Sequence, residues 1–96
     1  MRSLSSINKN KYNRRGLKIG YWETYHENGS LECKGLYNNG EKNGYWGYYH
    51  VNGNSWYRGK YINGLRDGLW EFYKENGEIS YKQLYDNGNH IKRQYI

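Results

Sequence analysis

The chain is 96 residues long, enough for one small domain with a modest core. Aromatic residues reach 19% and Pro is absent, while Leu, Ile and Val are sparse, so Tyr and Trp must supply the buried area. The formal net charge is +6, yet the excess sits in residues 1–19, which hold Arg2, Lys9, Lys11, Arg14, Arg15 and Lys18 and no acid; the remainder is charge-neutral, which argues against a uniformly basic nucleic-acid-binding body.

Residues 1–11 read as a basic N-terminal arm, and residues 12–96 as a repeat domain. Tyr12 to Ile19 resembles the second half of a repeat unit. Gly16 aligns with Gly40 and Gly20 with Gly44, while Tyr12 needs a one-residue shift to match Tyr37. Three full copies follow, over residues 20–43, 44–67 and 68–91. They open on Gly20-Tyr21-Trp22, Gly44-Tyr45-Trp46 and Gly68-Leu69-Trp70, a spacing of 24 residues. Tyr25, Tyr49 and Tyr73 come next, then Asn-Gly pairs at Asn28, Asn52 and Asn76. Tyr37, Tyr61 and Tyr85 precede a second set of pairs at Asn39, Asn63 and Asn87. A fixed period of this size marks stacked supersecondary units. His90 to Tyr95 supplies a last strand.

Asn-Gly between alternating stretches signals a hairpin, because a type I′ turn needs positive φ at both central positions. A two-residue loop at Asn28-Gly29 sets Trp22 opposite Gly35, Thr24 opposite Cys33 and His26 opposite Leu31. The later copies then pair Trp46 with Gly59, Tyr48 with Tyr57, Trp70 with Gln83 and Phe72 with Tyr81. One face carries Trp22, Leu31, Cys33 and Tyr37, then Trp46, Tyr48, Tyr57 and Tyr61, then Trp70, Phe72, Ile79, Tyr81 and Tyr85. That is the expected aromatic core, with Gly35 and Gly59 each beneath the indole opposite. The other face sets Glu23 against Lys34 and Glu71 against Lys82. Tyr25, Tyr49 and Tyr73 fall on this polar face, either at a bend or as an exposed ladder. Asn39–Asn43 and Asn63–Asp67 read as links between hairpins. A lone hairpin is marginal in water, so neighbours must stack. The expected fold is all-β: an elongated antiparallel sheet, or an open β-solenoid of consecutive hairpins, with half units at its ends.

These motifs resemble the MORN repeat in its bacterial variant form, as found in YwqK-type antitoxins. Gly44-Tyr45-Trp46-Gly47-Tyr48-Tyr49-His50-Val51-Asn52-Gly53 and Gly68-Leu69-Trp70-Glu71-Phe72-Tyr73-Lys74-Glu75-Asn76-Gly77 carry the likeness, which spans about residues 12–88. The resemblance implies a scaffold or antitoxin-like binding role, and it brings no catalytic motif. Cell-wall choline-binding repeats share Gly-Trp, paired Tyr and Asn-Gly, but the Trp-to-Tyr spacing and recurrent Tyr-x-Asn-Gly favour the MORN variant.

Little in the sequence points to catalysis. His26 and His50 share one repeat position, where the third copy has Lys74, and His90 stands alone. No Cys/His spacing suits zinc, and the glycines serve turns rather than a phosphate loop. The lone Cys33 rules out an internal disulfide. It shares a repeat position with Tyr57 and Tyr81 and reads as a small apolar residue. No apolar run is long enough for a signal peptide or membrane helix, so a cytoplasmic setting is expected. The reading is therefore a non-catalytic protein-binding module without cofactor or metal, whose partner is a toxin or other effector. Tyr25, Tyr49, Tyr73, Trp56 and Arg58 are the candidate partner-binding residues. Two alternatives use other features: nucleic acid or an anionic membrane surface bound by the basic arm and exposed tyrosines, and a glycan or choline held in aromatic cages. The sheet edges also offer a route to a homodimer.

Overall fold

The computed structural model describes residues 9–96, so Arg2 of the basic arm lies outside the described residues. Eight strands run in chain order through one open antiparallel sheet: β1 (Lys11–Tyr12), β2 (Lys18–Tyr25), β3 (Leu31–Asn38), β4 (Glu41–Tyr49), β5 (Ser55–Ile62), β6 (Leu65–Tyr73), β7 (Ile79–Asp86) and β8 (Asn89–Tyr95). Each strand pairs with the next in sequence. The all-β expectation and the flanking half units hold. Among these residues no helix is long and apolar enough to cross a membrane.

The two Asn-Gly pairs of each copy make different turns, and the tight one is not where the sequence reading put it. Asn39 (φ 48°) and Gly40 (φ 87°) are both left-handed, and Asn38 faces Glu41 across them. That is the two-residue type I′ turn. Asn63-Gly64 and Asn87-Gly88 repeat it. The expected links at Asn39–Asn43 and Asn63–Asp67 are therefore hairpins within the same sheet. At the first pair only Gly29 has positive φ, and the His26 amide donates to the Ser30 carbonyl at 2.8 Å around a three-residue loop. This longer loop shifts the register by one beyond Thr24, so Leu31 faces Tyr25 rather than His26. The predicted pairs further along, Trp22 with Gly35 and Glu23 with Lys34, are kept. The β1–β2 turn also has three residues, Arg14 to Gly16, closed by the Asn13 amide on the Leu17 carbonyl. Its extra residue accounts for the one-residue offset of Tyr12.

Stacking of these turns coils the sheet. The Asn28 amide and Ser30 hydroxyl donate to the Val51 carbonyl, and Asn52 and Asn54 do the same to Glu75 one copy later. At the opposite end the Gly40 amide donates to the Lys18 carbonyl, as Gly64 does to Lys42 and Gly88 to Arg66. His26 and His50 belong to this inter-copy bonding: their Nε2 atoms meet the Tyr49 and Tyr73 carbonyls at 2.9 and 3.1 Å. A carbonyl only accepts, so Nε2 carries the proton. The third copy carries Lys74 at this position.

The core lies on the predicted face. Trp22, Trp46, Tyr61 and Trp70 are buried, with Cys33, Tyr37, Tyr48, Tyr57, Phe72 and Tyr85 packed against them. Tyr37 and Tyr61 meet the indoles edge-on, at 4.9 Å from Trp46 and Trp70 respectively. Gly35 and Gly59 do make room for indoles, but not for those they face in the register. A Cβ at Gly35 would collide with Trp46, and one at Gly59 with Trp70, each an indole of the next copy. A bulge is the cause. Between Lys34↔Gly47 and Leu36↔Asn43, Gly44, Tyr45 and Trp46 stand against Gly35 alone. Gly44, at φ 87°, takes the sharp bend. The bend swings Trp46 over β3, where its Nε1 donates to the Leu36 carbonyl at 2.9 Å.

Candidate functional site

This bulge, repeated at Gly68, turns the middle residue of Gly-x-Trp in the second and third copies outward on the opposite face. Tyr45 is 77% exposed and Leu69 54%. With Tyr21 and Leu36 they flank an open groove of about 670 Å³, whose floor runs over Gly35, Gly47 and Gly59 and whose polar lining includes Lys34, Tyr49, Arg58 and Glu71.

A single row of paired residues crosses this face: Glu23, Lys34, Gly47, Arg58, Glu71 and Lys82. The predicted pairings across Glu23–Lys34 and Glu71–Lys82 are present, yet the nearest cation comes each time from the preceding strand or turn. Lys9 Nζ lies 2.7 Å from Glu23, and Arg58 Nε lies 2.8 Å from Glu71, against 3.8 Å for Lys82. Tyr21 donates to the second Glu23 oxygen at 2.6 Å, and Tyr25 donates to the first. Lys9 foremost, then the two phenols, hold the Glu23 carboxyl down at about 2. Glu71 is lowered in the same way, chiefly by Arg58 and then by the Tyr73 hydroxyl, which donates at 3.1 Å. Burial, aided by the Glu23 hydrogen bond, pushes Tyr21 up to about 12.

Of the proposed tyrosine ladder only Tyr25 is exposed, and Tyr49 and Tyr73 are half-buried. A bulge sits beside each member, with Glu32, Trp56 and Ser80 as the unpaired extra residues on the facing strands. The rings nevertheless stay on the polar face. Tyr25 and Tyr73 fold back onto Glu23 and Glu71, and Tyr49 leans over Gly47. Of the five candidate residues, Tyr49 and Arg58 line the groove, and Tyr25, Tyr73 and Trp56 are absent from its lining. Trp56 is a bulge residue, 46% exposed and stacked on His50 at 5.3 Å.

The basic arm residues occupy three settings rather than one patch. Lys9 is bound to Glu23 and Tyr25, while Arg14 and Arg15 are exposed in the β1–β2 turn near Lys11 of β1. Lys18 lies over the core face, 4.8 Å from Trp22 and 5.1 Å from Tyr37. Lys42 and Arg66 repeat that contact over Trp46 and Trp70 at 5.0 and 4.6 Å. Cations over indole faces stabilise by about 0.5–2 kcal/mol, more when desolvated. Their shared period with Lys18 was the available signal, and His90, 5.8 Å from Tyr85, takes the fourth turn of it. The groove residues missed at first, Tyr21, Tyr45 and Leu69, also recur at one repeat position.

No protein-family model, curated protein or solved structure matches the chain.

Proposed function

We propose that the chain is a non-catalytic protein-interaction module that binds and occludes a partner protein through the face opposite its aromatic core. The observation that carries this reading is the open groove, rimmed by Tyr45 and Leu69 and lined by Tyr49 and Arg58. Tyr and Arg are favoured interface residues, and this frame presents them with little conformational freedom to lose. The sheet's own backbone bonding fixes the surface before any partner arrives. The histidines His26 and His50 serve inter-copy bonds, which supports a structural reading of both. A toxin or other effector is the partner class, in keeping with the likeness to MORN-variant repeats, and the setting is cytoplasmic. Binding through the basic arm draws less support, since Lys9 and Lys18 are engaged within the fold.

The test begins with capture from the native host, identification of the bound protein and reconstitution with that protein purified. A Tyr45→Ala, Leu69→Ala double variant removes two exposed side chains and keeps the fold. It is expected to weaken binding by about tenfold or more, as loss of an aromatic anchor does. Equal binding by the double variant would overturn the reading, as would capture of nucleic acid released by Arg14→Gln, Arg15→Gln at the two exposed turn positions.

A further inference from the structure

The charged row across the groove face has one irregular member. Repeat copies one and three place a glutamate at the fourth position, Glu23 and Glu71, and copy two places Gly47 there. Around each glutamate the surroundings are alike: a cation from the preceding side, a basic residue across the next strand, and the tyrosine two residues on, donating its hydroxyl to the carboxylate. Around Gly47 the same surroundings persist without the acid. Lys34 faces it from β3 and Arg58 from β5. Tyr49, the counterpart of Tyr25 and Tyr73, leans so that its hydroxyl lies 3.0 Å from where a Gly47 Cβ would stand. Tyr45 takes the place that Tyr21 holds beside Glu23.

Of the two cations, Lys34 is without an ion pair among the described residues and Arg58 is shared with Glu71 and the Tyr73 ring. Lys34 is exposed and makes no ion pair among the described residues; its Nζ rests 5.9 Å from the Tyr49 ring. Arg58 gives Nε to Glu71 while its side chain stays 57% exposed. Their strands flank β4, so the two backbones stand about 10 Å apart, a span that side chains of this length close onto one carboxylate. The position lies inside the groove, with Gly47 on its floor. The protein thus contains two occupied examples of a carboxylate site and one empty one.

We propose that the Gly47 gap accepts the carboxylate of an acidic residue, Glu or Asp, presented by the partner protein. The partner's side chain stands where Glu23 and Glu71 stand in the neighbouring copies, receiving hydrogen bonds from Lys34, Arg58 and the Tyr49 hydroxyl. This inference rests on the protein-interaction reading and names what the groove recognises.

The probe is an end-capped hexaglutamate peptide titrated into the full chain and followed by amide chemical shifts, with capped hexaglutamine and inorganic phosphate as parallel arms. Hexaglutamate is expected to shift the Gly47 and Tyr49 amides saturably, and hexaglutamine is not. Gly47→Glu supplies the missing acid from within, and only the movable end of Tyr49 stands in its way. That variant is expected to keep or raise the melting temperature and to weaken peptide binding by about tenfold or more. Lys34→Gln, at an exposed position, is expected to weaken it by about tenfold, the size of one charge-assisted hydrogen bond. Undiminished peptide binding by Gly47→Glu or by Lys34→Gln would overturn the proposal, as would saturation by phosphate alone or no binding by the wild-type chain. If the peptide fails while a purified partner still requires Tyr45 and Leu69, the carboxylate site falls and the interaction surface stands.

Discussion

Two strand glycines set the positions of the buried indoles. Gly35 and Gly59 lie under Trp46 and Trp70, and a side chain at either would meet the ring itself, with Trp70 fully buried. Gly59→Ala is therefore expected to destabilise by about 1–3 kcal/mol, the cost of overpacking a tight core, measured by chemical denaturation. Trp70→Ala removes the ring and is expected to cost about 3–5 kcal/mol. Gln83 takes the glycine's place in the third copy because the next Gly-x-Trp position holds Gln94, so no indole lies over it; its Oε1 instead accepts from Arg93 at 2.5 Å. The sequence displays this substitution pattern openly. What it hides is which indole covers which glycine, because the register alone pairs Trp46 with Gly59 while the Gly44 bulge carries the ring back over Gly35.

Glu23 gives a residue-scale prediction in pH. Its folded-state carboxyl lies below the unfolded one, so the ionised form favours the fold. That contribution is complete at neutral pH and is lost as pH falls from 4.5 toward about 2. Melting temperatures of the wild type are expected to drop across this window, and those of Glu23→Gln to start lower and drop less. Equal acid sensitivity in the two chains would contradict the assignment.

At the scale of elements, identical Asn-Gly pairs do different work. Asn63 stands in the left-handed region at φ 49°, where Gly is at ease, so Asn63→Gly is expected to change stability by under about 0.5 kcal/mol. Asn52 is not left-handed; its side chain accepts from the Asn54 amide and donates to the Glu75 carbonyl. Asn52→Gly is expected to cost about 1–3 kcal/mol, two hydrogen bonds' worth. Denaturant midpoints of the two variants make the comparison. Strand existence, order and core face were legible from the alternation and the period. The turn types were not, since Asn-Gly serves a two-residue and a three-residue loop equally well. The groove was legible only in part: Tyr49 and Arg58 stood out, while Tyr45 and Leu69 carry no signal beyond their place between Gly and Trp. Only the bulge geometry turns them outward.

Over the whole molecule, eight meandering strands extend through 43 × 30 × 19 Å, with every strand bonded only to its sequence neighbours. Stability in such an arrangement accumulates unit by unit. Inserting a second copy of residues 44–67 after Asp67 is expected to give a longer folded sheet with a higher melting temperature, checked by calorimetry. The ends differ. β1 is two residues long, and β8 is exposed throughout and carries Lys92 and Arg93, the kind of charged edge that resists pairing with another sheet.

In the proposed division of labour between faces, the Trp–Gly face holds the fold and the Tyr–Arg groove face meets a partner. The most direct measurement is an amide and indole chemical-shift map of the chain titrated with its captured and purified partner. The division predicts shifts at Tyr45, Gly47, Tyr49, Arg58 and Leu69, with the Trp22 and Trp70 indole protons unmoved. Shifts confined to residues 9–18, or centred on the Trp22 and Trp70 indoles, would contradict it.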